Sequence, residues 1–121
     1  MKRKILIIED NADNMYLTTF LLEKAGYETA QAFDGKTGIA RARECRPDLI
    51  LLDIQLPVMD GYAVARALQS DATVSDIPIV AVTSHAMAGD RETVMAAGCT
   101  GYIEKPISPE NFVHQMEQYL P

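Results

Sequence analysis

Two apolar runs in this chain stop at acids. Ile5-Leu6-Ile7-Ile8 leads into Glu9-Asp10, and Leu49-Ile50-Leu51-Leu52 leads into Asp53. Two later runs stop at other polar groups: Ile79-Val80-Ala81-Val82 at Thr83-Ser84, and Gly101-Tyr102-Ile103 at Glu104-Lys105. Brought together, Glu9, Asp10 and Asp53 would repel one another unless protons or a cation neutralised them, and a hard divalent ion is the simplest remedy. Mg²⁺ suits such a set, because it takes one or two carboxylates, keeps several waters and leaves positions for phosphate oxygens. The backbone carbonyl of Gln55, two residues past Asp53, offers a further ligand. Lys105 adds a point charge and Thr83 a hydroxyl, enough to surround the oxygens of a phosphoryl group. A carboxylate in that setting can attack phosphorus and form an aspartyl-phosphate. Asp53 is the candidate nucleophile.

These residues meet only if the elements that carry them are neighbours. The apolar patterning predicts strands over Lys4-Ile8, Glu28-Phe33, Asp48-Leu52, Ile77-Val82 and Gly101-Ile103. Segments of helical period lie between them. Leu17, Phe20, Leu21 and Ala25 mark one face of a first helix that stops at Gly26. A second helix is expected from about Lys36 to Cys45, a third through Val64 and Leu68, a fourth ending at Gly98, and a fifth through Phe112, Met116 and Leu120. Strict βα alternation favours a parallel sheet with helices on both faces, whose central strands are continuously apolar. Glu28-Ala32 alternates in polarity and Gly101-Ile103 is short, so these two belong at the edges. A flavodoxin-like, doubly wound (βα)5 α/β sheet of order 2-1-3-4-5 meets both conditions, and it binds ligands outside the carboxyl ends of its strands. That is where the polar residues fall.

Composition narrows the classes. The chain has 121 residues, 48% of them hydrophobic, and this suits a single domain over residues 1–121 that buries its own core. A formal net charge of -6 disfavours direct nucleic-acid binding, which needs a basic surface. The four apolar residues after Met1-Lys2-Arg3-Lys4 are too few for a signal peptide or a membrane span, so a cytoplasmic protein without membrane insertion is expected. Cys45 and Cys99 are expected to be buried, reduced thiols.

The combination of Glu9-Asp10, "LLDIQLPVMDG", "VAVTSHAMAGD" and "YIEKPIS", in this order and spacing, resembles the response-regulator receiver domains of two-component signalling across essentially the whole chain. The resemblance implies that Glu9 and Asp10 form the Mg²⁺-binding acid pair, Asp53 accepts the phosphoryl group, Thr83 is the switch hydroxyl, Lys105 binds the phosphoryl group and Tyr102 is the switch aromatic. It places Ser84, His85 and Pro106 at the pocket rim and a cis peptide bond between Lys105 and Pro106. It implies a phosphohistidine donor on a histidine kinase or phosphotransfer protein. A downstream protein would bind through helix 4, strand 5 and helix 5, and the receiver would be a monomer or a phosphorylation-dependent dimer. Thr83 would be drawn toward Asp53 and Tyr102 would turn inward. The chain catalyses only its own phosphorylation and dephosphorylation in this picture. The Met1 start, the end at Pro121 and the strings "TSHAMAGD" and "EKPIS" resemble DivK-like single-domain regulators, with a receiver cut from a hybrid histidine kinase as the alternative. A phosphorylation-independent binding receiver is a further alternative, although none of the acids, the threonine or the lysine is missing.

Plainer roles compete for several residues. Asp13 is a candidate N-cap of the first helix, and Asp60 of the third. Asp34-Gly35 suits a turn, since the glycine that a phosphate-binding P-loop would need is Ala30. Met15, Met87, Met95 and Met116 suit gaps in the core, and Tyr102 could be a static edge aromatic. An aspartyl phosphatase would place a second acid where this chain has Gln55, and a flavin phosphate would be repelled by Glu9-Asp10.

Overall fold

In the computed structural model, which describes residues 2–84 and 88–121, the five apolar runs form one parallel sheet. Its strands are β1 (Lys4–Ile8), β2 (Glu28–Ala32), β3 (Leu49–Asp53), β4 (Ile79–Thr83) and β5 (Gly101–Glu104), and their order is β2-β1-β3-β4-β5. Helices α1 (Ala12–Lys24), α2 (Gly35–Cys45), α3 (Gly61–Gln69), α4 (Ala88–Ala96) and α5 (Phe112–Glu117) join them. The expected doubly wound order is present, with the alternating strand and the short strand at the two edges. The central strands β3 and β4 are buried at every residue, as a sheet covered on both faces requires.

Side chains of a strand alternate between faces, so the apolar runs feed two cores. Leu6, Ile8, Ile50, Leu52 and Ala81 pack with Ala42 of α2, with Val64 and Leu68 of α3 and with Val94 of α4. Ile5, Ile7, Leu49, Leu51, Val80 and Val82 pack on the other face with Met15 and Leu22 of α1 and with Phe112 and Met116 of α5. Burying each large aliphatic side chain contributes roughly 1.5–3 kcal/mol, and these layers hold the strand ends in place. The helices stop as expected: Gly26 and Gly98 follow α1 and α4 with φ of 99° and 107°, a backbone region open to glycine.

Several local expectations need correction. The buried face of α1 is Met15, Thr18 and Leu22, whereas Phe20 is 50% exposed and Ala25 lies in solvent. Of the expected stripe, Leu21 packs at the margin of the core and Leu17 is half-buried. Its N-cap is Asn11, which accepts from the Asn14 N–H at 2.9 Å, and Asp13 sits within the first turn. Asp60 does cap α3, and Asp34 caps α2. Met15 and Met116 fill the core, but Met95 is 46% exposed on α4. Cys99 is buried, Cys45 is half-buried, and both are free thiols. Met87 lies outside the described residues.

Candidate phosphoryl-transfer site

Strands β3 and β4 each extend one residue further than the apolar runs suggest, so Asp53 and Thr83 are the last residues of their strands. The ladder continues past them: the Ile54 N–H donates to the Val82 carbonyl at 3.2 Å, and the Lys105 N–H donates to the Thr83 carbonyl at 2.8 Å. The side chains that end β1, β3, β4 and β5 are therefore held by sheet hydrogen bonds and not by loop packing alone. Asp53 is only 3% exposed and Glu9 5%, while Asp10 faces solvent. The candidate nucleophile is thus largely covered.

The structure brings the predicted acids together. Glu9, Asp10 and Asp53 each offer an oxygen within 4.8 Å of the others. Lys105 Nζ lies 3.3 Å from Glu9 Oε1 and 3.3 Å from Asp53 Oδ2, bridging the two carboxylates. Backbone amides satisfy the remaining oxygens: the Gln55 N–H donates to Asp53 Oδ1 at 2.9 Å, and the Asn11 N–H to Glu9 Oε2 at 3.1 Å. Burial pushes the Glu9 carboxyl up to about 7; hydrogen bonding and repulsion from Asp53 add to this, while the Asn11 amide and the Lys105 charge oppose it. A carboxyl displaced so far marks a crowded acidic cluster, and its all-oxygen donor set suits a small hard cation.

The rim combines predicted residues with ones the sequence did not reveal. Ser84 Oγ donates to Gln55 Oε1 at 2.8 Å, so side chains from the loops after β3 and β4 clasp beside Asp53. The Lys105-Pro106 peptide bond is cis. Ser84, Lys105, Pro106 and Ile107 line a groove of about 300 Å³ with Asn14 and Leu17 of α1. His85, expected at the rim, lies outside the described residues. In the loop between β3 and α3, Val58 holds a left-handed φ of 65° and is fully exposed, an uncommon state for a β-branched residue.

Tyr102 lies apart from the acids. It is half-buried in β5, and its ring faces α4, where the Arg91 guanidinium stacks 5.0 Å from the ring centroid. Arg91 Nη2 also donates to the Tyr102 hydroxyl. Sequence reasoning missed Arg91, Asn14 and the Gln55 side chain, because each acts through a partner on a different loop or helix and no spacing announces it.

Residues 5–117 match the response regulator receiver domain family. The chain is 45% identical over 120 residues to the polar-differentiation response regulator DivK of Brucella anthropi, covering 99% of this chain and 98% of that one. It is 44% identical to DivK of Brucella ovis with the same coverage. Among solved structures, chemotaxis protein CheY4 of Vibrio cholerae superposes with a TM-score of 0.94 at 28% identity, covering 99% of this chain and all of that one. The receiver domain of a Pseudomonas aeruginosa sensor histidine kinase, described with magnesium coordinated in its active-site cleft, gives 0.89 at 32% identity, with 98% of each chain covered. With the family match spanning residues 5–117 and a relative 45% identical over nearly the whole of both chains, the chain belongs to the response-regulator receiver domain family.

Proposed function

We propose that a single receiver domain over residues 1–121 takes a phosphoryl group onto Asp53 from a phosphohistidine of a histidine kinase or phosphotransfer protein. The observation that carries this reading is the position of Lys105, whose ammonium group lies 3.3 Å from both Asp53 and Glu9. In the transfer, Asp53 Oδ attacks phosphorus, the new P–O bond replaces the P–N bond, and the imidazole leaves. Lys105 offers its charge to the phosphoryl oxygens, and Thr83 stands at the adjacent strand end to offer its hydroxyl. Glu9, Asp10 and Asp53, with the carbonyl of Gln55, would hold Mg²⁺. When bound, the ion supplies charge neutralisation for the incoming phosphoryl group and for the crowded carboxylates.

The groove beside Lys105, flanked by Asn14 and Leu17, gives the donor protein a place to rest against α1. The second docking surface is α4, β5 and α5, where Arg91, Met95, Tyr102 and Tyr119 border a cavity of about 580 Å³. Phosphorylation biases this surface through Thr83 and Tyr102, and catalysis is confined to the receiver's own phosphorylation and hydrolysis. The setting is cytoplasmic in this reading; among the described residues, no helix is long and apolar enough to cross a membrane.

Intact-mass measurement with acetyl phosphate, with and without Mg²⁺, tests the assignment. One Mg²⁺-dependent phosphoryl group that disappears in Asp53→Asn, with the fold retained, is the expected result. Stoichiometric labelling that persists in Asp53→Asn would refute it.

A further inference from the structure

A switch that turns Tyr102 inward requires something that keeps it outward while Asp53 is unmodified. Burial alone favours the inward position, because a phenol ring gains by leaving water. In this structure the counterweight comes from α4. Arg91 touches Tyr102 twice, through the hydrogen bond from Nη2 to the hydroxyl and through the guanidinium stacked on the ring at 5.0 Å. Arg91 is itself exposed and does not reach Asp53, Glu9 or Lys105 through any ion pair found among the described residues. Its contact with the switch is independent of the acidic cluster.

We propose that Arg91 is a positioning residue that latches Tyr102 to α4 in the unmodified chain and must release it when Asp53 is phosphorylated. The proposal rests on the assignment of Asp53 as phosphoryl acceptor and Tyr102 as switch aromatic. Both Arg91 contacts are made to the ring as it stands here, half-buried against α4, so both are lost if it turns further inward. A cation–π contact and a single hydrogen bond from the guanidinium at an exposed, water-screened site each shift an equilibrium by about threefold; together they hold the outward state by about tenfold. Linkage requires that whatever favours the outward state weakens phosphoryl-mimic binding by the same factor, to the extent that the mimic selects the inward state. Arg91 thereby sets how far the unmodified chain leaks into its active form.

The test uses the full chain labelled with 3-fluorotyrosine. It has five tyrosines, and Tyr102→Phe identifies the fluorine resonance of interest. Beryllium fluoride with Mg²⁺ serves as the phosphoryl mimic. In Arg91→Ala the mimic-free resonance of Tyr102 is expected to move partway toward its mimic-bound position, and mimic affinity to rise about tenfold. Arg91→Lys, which keeps the cation without the planar guanidinium, should fall between. In a Tyr102→Ala background, Arg91→Ala should no longer change mimic affinity. A native chain that binds the mimic, paired with an Arg91→Ala variant of unchanged Tyr102 resonance and affinity, overturns the latch alone. An affinity gain that survives in Tyr102→Ala also overturns it, since Arg91 would then act elsewhere. A native chain that binds no mimic removes the functional assignment and the latch with it.

Discussion

The two ends of the proposed signalling path are built differently. The acidic cluster is made from strand termini: Asp53 and Thr83 belong to the sheet, Glu9 follows β1 directly, and backbone amides of Asn11 and Gln55 hold the carboxylates. The α4–β5 face depends on a long, exposed side chain folded over a half-buried ring. Sheet hydrogen bonds hold the backbone of the first arrangement in place. The second rests on contacts that change an equilibrium only several-fold. Chemistry calls for fixed atoms, and switching calls for two states of nearly equal free energy.

That contrast can be broken most severely at Lys105. Lys105→Ala removes the charge that bridges Glu9 and Asp53 but none of the oxygens suited to a metal. Labelling by acetyl phosphate is expected to slow about tenfold or more, with the Tyr102 response lost and Mg²⁺ affinity retained. A fall in Mg²⁺ affinity as large as that of Asp10→Ala would show that the lysine organises the metal ligands instead.

A smaller effect follows from Glu9. Its carboxyl is raised from an ordinary value of 4.5 to about 7 in the fold. Between these values the folded chain keeps a proton that the unfolded chain has released. The stability this group contributes is therefore complete below 4.5 and is lost as the pH rises through 7. Metal-free protein should resist urea better at about pH 5 than at about pH 7.5 on this account, while Mg²⁺ affinity climbs over the same interval because binding competes with the proton. An affinity that is flat across that range would place Glu9 outside the metal site.

The mildest test is at Val58, in the loop between β3 and α3. A β-branched residue in the left-handed region costs about 1 kcal/mol, and Asn tolerates that region better. With its side chain fully exposed and no packing to lose, Val58→Asn should raise stability by about 1 kcal/mol without altering labelling by acetyl phosphate. An unchanged unfolding midpoint would mean that the loop relaxes, and that it is softer than the strand end before it.

The residues that mark the site were legible in sequence because they interrupt continuous apolar runs, and strict βα alternation tells which runs become neighbours. Asp53 and Thr83 could be placed within one residue for that reason. Phe20 and Met95 were misjudged because a helix's buried face is settled by everything packed on it, and α1 has to satisfy both the sheet and α5. The cap at Asn11, in place of Asp13, follows from where the chain leaves β1. The Gln55–Ser84 clasp and the Arg91–Tyr102 pair join side chains 29 and 11 residues apart, and no local periodicity encodes such meetings.

The two cores have a mechanical consequence at the sheet's edge. Val94 of α4 belongs to one core, Phe112 and Met116 of α5 belong to the other, and β5 runs between them as the last strand. A protein seated across α4, β5 and α5 therefore grips both leaves of the molecule at once, as fingers hold the fore-edge of a closed book. Any slip of one leaf against the other reaches it as a change in the span of its grip.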